Sequence, residues 1–224
     1  MKRIILITVI VSLIMSNMML LGQEVYKNPD LTINKLKDKI WVVETTDRTT
    51  MHIIEGEKSS MLIDTGTECE NLDEVIRKIT NKPLYVVLTH VHPDHAGNIG
   101  YFNEIYMHPA DTVLLESYNY NGKVNFIEEG YIFDLGGIKY EIFLMPGHTP
   151  GSIVIVDKQA GDCFTGDAFG SGSIWLQLEP HVPMTTYVES CERMEKIMQA
   201  GVDKLWCGHY PGVKIYLGID YIQK

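Results

Sequence analysis

The sequence predicts an α/β (α+β) protein in which two sheets pack face to face and carry helices on their outer sides. Two observations predict it. Short β-rich runs alternate with turns in both halves of the chain, and each half adds one stretch whose apolar residues recur at helical spacing. Sheets and amphipathic helices each have an apolar side to bury, and layering them hides it.

In the first half, residues 40–44 (IWVVE), 51–55 (MHIIE) and 60–63 (SMLI) read as successive strands, with turn-forming Asp47 and Gly56 between them. Residues 72–79 place Leu72, Val75, Ile76 and Ile79 on one helical face, and Pro83 stops that helix. Residues 84–88 (LYVVL) read as a short buried strand. In the second half, residues 104–107, 131–135, 139–144 (KYEIFL), 152–156 (SIVIV) and 163–165 read as strands. Residues 187–199 carry Val188, Cys191, Met194, Ile197 and Met198 at near-helical spacing, closed by Gly201. Residues 204–207 form the last clear strand.

An apolar content of 45% is ordinary for a chain that fills a core. Roughly 200 residues beyond an N-terminal segment suit one medium domain. The formal net charge is −10, from 19 basic and 29 acidic residues. Phosphate binding needs a basic face, so no nucleic acid is expected as a partner. A small-molecule substrate is expected instead. Oligomeric state leaves no mark in the sequence.

Residues 1–22 read as an export signal. Lys2 and Arg3 supply the positive start, and residues 4–15 are apolar except for Thr8 and Ser12. A cut near Gly22 leaves residues 23–224 as the mature domain, although Leu20 stands where a small residue is expected. The competing reading is an uncleaved anchor, because residues 4–21 are about long enough to span a bilayer. The expected location is therefore exported, in a bacterial periplasm, with secretion or membrane anchoring as variants. Cys69, Cys163, Cys191 and Cys207 form no CxxC pair. Export allows a disulfide, but buried or free thiols are the plainer expectation.

The chemistry concentrates in Thr89-His90-Val91-His92-Pro93-Asp94-His95. At the end of an extended strand, His90 and His92 point to one side, because side chains alternate with period two. Pro93 ends ladder pairing and turns the chain, which sets Asp94 and His95 one turn onward. The segment thus offers two ligands to one ion and two to a neighbour, in the imidazole and carboxylate types that zinc takes. His148, Asp167 and His209 stand at turns after predicted strands, each directly behind a glycine. Glycine lets such a loop approach closely, and loops at strand ends are where sites usually form. A lone HxH or loop histidine is most often solvated surface. Seven ligand-type residues in a recurring pattern outweigh that reading.

These residues resemble the metallo-β-lactamase superfamily. His90-x-His92-x-Asp94-His95 is similar to its signature, as are Ile63-Asp64-Thr65-Gly66, Gly147-His148-Thr149-Pro150-Gly151, Gly166-Asp167 and Gly208-His209. The match runs from about residue 39 to 212, in the superfamily's order. The resemblance implies a four-layer αβ/βα sandwich, the metallo-β-lactamase fold, with two divalent metal ions at one edge between the sheets. Zinc is expected, with iron or manganese as alternatives. The resemblance assigns His90, His92 and His148 to the first metal, Asp94, His95 and His209 to the second, and Asp167 between them. Asp64 matches the superfamily's early aspartate, which orients ligating histidines. His52, His108 and His181 match no motif and are expected to be structural or on the surface, with His181 nearest the pocket.

The implied mechanism is hydrolysis by a metal-bridging hydroxide, since paired ions acidify a shared water. Asp94 is the expected catalytic residue, taking the hydroxide's proton and passing it to the leaving group. No serine or cysteine nucleophile is expected. The substrate is expected to be an ester, lactone, thioester or β-lactam. Trp175, Leu176, Leu178 and Met184 offer it an apolar wall, and Tyr210 offers an oxyanion donor, although packing roles explain these side chains as well. Zinc β-lactamases that bind through a cysteine carry it where Asp167 stands, and the subclass with two histidine sets lacks a bridging aspartate. The seven-ligand set is similar to glyoxalase II thioesterases and acyl-homoserine-lactone lactonases. Fifteen residues follow His209, short of the helical extension of glyoxalase II and of the closing helix of many relatives, which leaves a fragment as one expectation. The alternatives are an iron-dependent oxygen or sulfur redox enzyme on the same fold, or specifically a β-lactamase. Against the redox reading, flavodiiron proteins carry glutamate where His92 stands, and persulfide dioxygenases use one metal. A scaffold that has lost activity would be expected to lose ligands, and none is missing.

Overall fold

The computed structural model describes residues 22–209 and 216–218. Its first sheet has eight strands in sequential order: β1 (Gln23–Lys27), β2 (Leu31–Lys37), β3 (Ile40–Thr45), β4 (Thr50–Glu55), β5 (Ser60–Ile63), β6 (Leu84–Val87), β7 (Glu104–Met107) and β8 (Lys123–Phe126). Strands β1 to β5 pair antiparallel, and β5 to β8 pair parallel. The second sheet comprises β9 (Ile132–Asp134), β10 (Lys139–Leu144), β11 (Ile153–Asp157), β12 (Asp162–Gly166) and β13 (Lys204–Cys207), antiparallel except for the parallel pair β12–β13. The main helices are α1 (Leu72–Arg77), the single-turn α2 (Pro93–Ala96), α3 (Thr112–Leu115) and α4 (Met184–Gln199).

Period-two alternation sorts the core into layers. On β4, Met51 and Ile53 meet Leu72, Val75 and Ile76 of α1 on the outer side. Ile54 points the other way and meets the second sheet, beside Met61, Ile63 and Val87. On β11, Ile153 and Ile155 face that same inter-sheet layer, while Val154 and Val156 meet Met194 and Met198 of α4. The order is helix, sheet, sheet, helix, the four-layer sandwich expected above. Each fully buried aliphatic side chain contributes about 1.5–3 kcal/mol.

Several elements escaped the pattern. β1 is an edge strand with mostly exposed side chains, so it shows no apolar alternation. β2 (LTINKLK) mixes buried polar Asn34 with apolar residues. β8 is likewise mostly outside the core. α1 ends at Arg77, short of Ile79, and α4 begins at Met184, before Tyr187. All four cysteines are free. Burial pushes the Cys207 thiol up to about 12, which leaves it a poor nucleophile. Among the described residues no helix is long and apolar enough to cross a membrane.

Candidate metal centre

The motif residues lie where strands end. Asp64 follows β5, the His90 segment follows β6, His148 follows β10, Asp167 follows β12 and His209 follows β13. Parallel pairing of β5 with β6, and of β12 with β13, brings those ends to one edge. Thr50 ties the sheets there, its N–H donating to the Gly208 carbonyl at 2.7 Å. One expectation needs correcting. β6 ends at Val87, so His90 and His92 do not share a side by strand alternation. A loop carries them, and His92, with extended backbone, caps α2. Asp94 and His95 then ride on that single turn.

His90, His92 and His148 form one cluster, each offering a ring nitrogen, all within 4.8 Å of one another. All three are buried. Their free lone pairs follow from the hydrogen bonds behind them. Thr89 Oγ1 donates to Asp64 Oδ2 at 2.8 Å, so it accepts from His90 Nδ1 at 3.2 Å. That leaves His90 Nε2 unprotonated, buried and without a hydrogen-bond partner. His148 Nδ1 donates to the Trp175 carbonyl at 3.0 Å, which turns its bare Nε2 toward His92 Nδ1, 2.8 Å away. Burial, helped by His95 and His148, holds His90 well below the ordinary histidine value. Burial and then His148 bring His92 down to about 4. His92 Nδ1 donates to the bare His148 Nε2, and three neutral imidazoles converging in this way make a good donor set for a divalent cation once that proton is given up.

Asp94, His95, Asp167 and His209 form a second cluster on the same criterion. His209 Nε2 donates to Asp94 Oδ2 at 3.1 Å and lies 3.3 Å from Asp167 Oδ2. His95 Nε2 is 3.4 Å from Asp167 Oδ1, and His148 Nε2 is 3.7 Å from Asp167 Oδ2, so Asp167 faces both clusters. Burial alone would lower His95, but Asp167 and Asp64 raise it well above its ordinary value. Burial opposes a charge on His209 too, yet Asp167 and Asp94 lift it to about 9. Burial pushes the Asp167 carboxyl up, and His95 and His209 outweigh it, holding it well below the usual carboxylate range. These imidazoles trade a proton for a cation when a metal binds.

Asp64 stands behind both clusters. Besides the Thr89 hydroxyl, its carboxylate accepts from Thr89 N at 2.7 Å and from His95 Nδ1 at 2.8 Å. It is itself left-handed, with φ 61°, a conformation that Asp tolerates better than most residues. Gly208 shows why a glycine precedes His209: a Cβ there would lie 2.4 Å from Asp167 Oδ1 and 2.5 Å from His95 Cε1.

The clusters open into a cavity of about 800 Å³. His92, Asp94, His148, Asp167 and His209 line its floor, and Tyr118, Ile174, Trp175 and Leu178 line its walls. Trp175 and Leu178 are thus on the expected wall, whereas Leu176 and Met184 are not among the lining residues. Tyr210 lies outside the described residues. His181 does not line the cavity; it is exposed and pairs with Glu179 at 3.0 Å. His52 is buried against Phe164 and Trp206, and His108 caps a turn by accepting from Ala110 N. The sequence reading missed Ser171, whose hydroxyl donates to Asp167 Oδ1 at 2.8 Å and accepts from His209 N at 3.3 Å. It also missed Tyr118, whose only mark is an unremarkable position on a short helical turn.

Residues 45–209 match the family described as the Metallo-beta-lactamase superfamily. The chain belongs to that superfamily and is a hydrolase of its fold, with a donor set that fits divalent metal. It is 27% identical to "Acyl-coenzyme A thioesterase MBLAC2" of Gallus gallus, across 81% of this chain and 80% of that one. It is 31% identical to "Hydroxyacylglutathione hydrolase GloC" of Haemophilus influenzae, across 62% of this chain and 74% of that one. Among solved structures it resembles "Metallo-beta-lactamase from Pontibacter korlensis", with a TM-score of 0.70 and 20% identity over 86% of this chain and 95% of that one. That likeness speaks for the fold alone.

Proposed function

We propose that the chain is a dinuclear metal-dependent hydrolase of a thioester, or a closely related ester, with an apolar acyl group. His90, His92 and His148 would hold one divalent ion and Asp94, His95 and His209 the other, with Asp167 between them. Zinc is the proposed metal, because the donors are imidazole and carboxylate and hydrolysis needs no redox change. The observation that carries this reading is the convergence of two donor clusters on one cavity floor, with His90 Nε2 of the first buried and without a hydrogen-bond partner. The thioester leaning comes from the two curated relatives, whose names specify acyl-coenzyme A thioesterase and hydroxyacylglutathione hydrolase.

When bound, such a pair of ions supplies an acidified water and a Lewis acid for the carbonyl oxygen. The chain's own groups do the rest. Pro93, Tyr118, Trp175 and Leu178 bind the acyl group and exclude water from around the carbonyl. Asp94, partly exposed on the cavity floor, takes the proton of the attacking water at a carboxylate oxygen and returns it to the leaving group. Asp64 holds the tautomers of His90 and His95. No buried thiol enters the chemistry.

Export to a bacterial periplasm is part of the proposal, resting on Lys2, Arg3 and the apolar run behind them, which lie outside the described residues. The test is a panel of thioesters, esters, lactones and a cephalosporin, assayed with the metal-loaded protein and with His90→Ala. Thioester turnover that disappears in His90→Ala supports the proposal. Equal activity in both proteins, or activity on the cephalosporin alone, refutes it.

A further inference from the structure

Asp111 belongs to none of the motifs above, yet its carboxylate joins two of the ligand-bearing loops. It ends the short helical turn Pro109–Asp111 after β7 and is 1% exposed. Its Oδ2 accepts from Val91 N at 3.2 Å and from Thr149 Oγ1 at 2.8 Å. Its Oδ1 accepts from Gly151 N at 2.7 Å. Val91 lies between His90 and His92, and Thr149 directly follows His148. All three bonds therefore run to the loops of the first cluster. Gly151 is shaped to this contact, because a Cβ there would stand 2.6 Å from Asp111 Cγ and Oδ1. A buried carboxylate held by neutral donors is expensive, and a fixed position for the groups around it is what it supplies in return.

We infer that Asp111 is a positioning residue of the first cluster: it sets the distance between the loop of His90 and His92 and the loop of His148, and through it that cluster's affinity for its ion. The second cluster takes its positions elsewhere, from Asp64 behind His95 and from Ser171 between Asp167 and His209. The inference rests on the metal reading proposed above.

The test is zinc titration of the metal-free full chain in competition with a chromophoric chelator. The imidazole nitrogen signals of the five proposed ligand histidines are followed by NMR. Wild-type protein that takes up no zinc overturns the metal reading, and the inference with it. Where the wild type takes two ions, Asp111→Asn is the informative variant. It keeps the side chain's shape but turns an amide N–H toward a backbone or hydroxyl donor. It is expected to weaken the first ion on the order of 10–100-fold and leave the second unchanged. The signals of His90, His92 and His148 then leave their zinc-bound positions at a zinc level that still holds His95 and His209. Should Asp111→Asn fail to fold, Thr149→Val decides, with a smaller loss expected at the same three histidines. Unchanged affinity at both sites, or an equal loss at both, overturns the inference.

Discussion

The two donor clusters meet at Asp167 and are built on different principles. The first is all imidazole, buried and neutral, with the tautomers of His90 and His148 fixed by Thr89 and the Trp175 carbonyl. The second mixes carboxylates with proton-rich imidazoles and stands partly open to the cavity through Asp94 and His209. The difference teaches a division of labour. Under the proposed function, the neutral imidazoles of the first cluster only hold a cation and are pinned from behind, whereas Asp94 also exchanges protons with a substrate and is held by charge.

Breaking the shared residue has the largest expected effect. Asp167→Ala removes the carboxylate that faces both clusters, so metal content falls at both and turnover drops to background. His90→Ala should empty the first cluster alone. Elemental analysis separates the two outcomes, and equal metal loss in both variants would contradict the division. Asp64→Asn is the next largest. Asn has one acceptor oxygen where Thr89 and His95 need two, so metal affinity or kcat/KM should fall on the order of 10–100-fold. Direct metal titration checks that figure.

Trp175→Ala sharpens the comparison from the substrate's side. Its ring lines the cavity while its carbonyl, kept in the variant, still holds His148. Loss of one apolar wall should lower kcat/KM roughly tenfold for a long acyl thioester, mostly through KM, and little for an acetyl thioester. An equal loss on both would mean that the ring acts through His148 instead.

His52, buried against Phe164 and Trp206, offers a control outside both clusters. Burial brings its pKa down to about 3 in the folded protein, from an unfolded value of 6.5. The unfolded chain therefore takes up the proton first as the pH falls. Stability is intact above pH 6.5 and is lost progressively toward pH 3, by about 3 kcal/mol at pH 4. Denaturant unfolding of metal-free wild type and His52→Leu should show the acid-dependent part shrinking in the variant, with metal binding at neutral pH unchanged.

Much of this was legible in the sequence, for physical reasons. Strands such as β11 and helix α4 have a burial period that survives in the letters. The residues of the two clusters were legible because a metal site would restrict the residue type at each position, and His, Asp and the preceding glycines are rare enough together to stand out. The edge strands β1 and β8 were not, since they bury little. Ser171 and Asp111 were invisible because hydrogen bonding behind a ligand can be done by a common residue at no fixed spacing. The loop around His90 misled in detail. Its histidines do meet, through a turn and a helix cap in place of strand alternation.

The most direct test of the central claim is the metal-to-protein ratio of the purified chain, with anomalous diffraction to place each ion. Two ions per chain are predicted, one beside His90, His92 and His148 and one beside Asp94, His95 and His209. Protein that is metal-free after growth in zinc-replete medium, or that holds its only ion away from these side chains, would contradict the account.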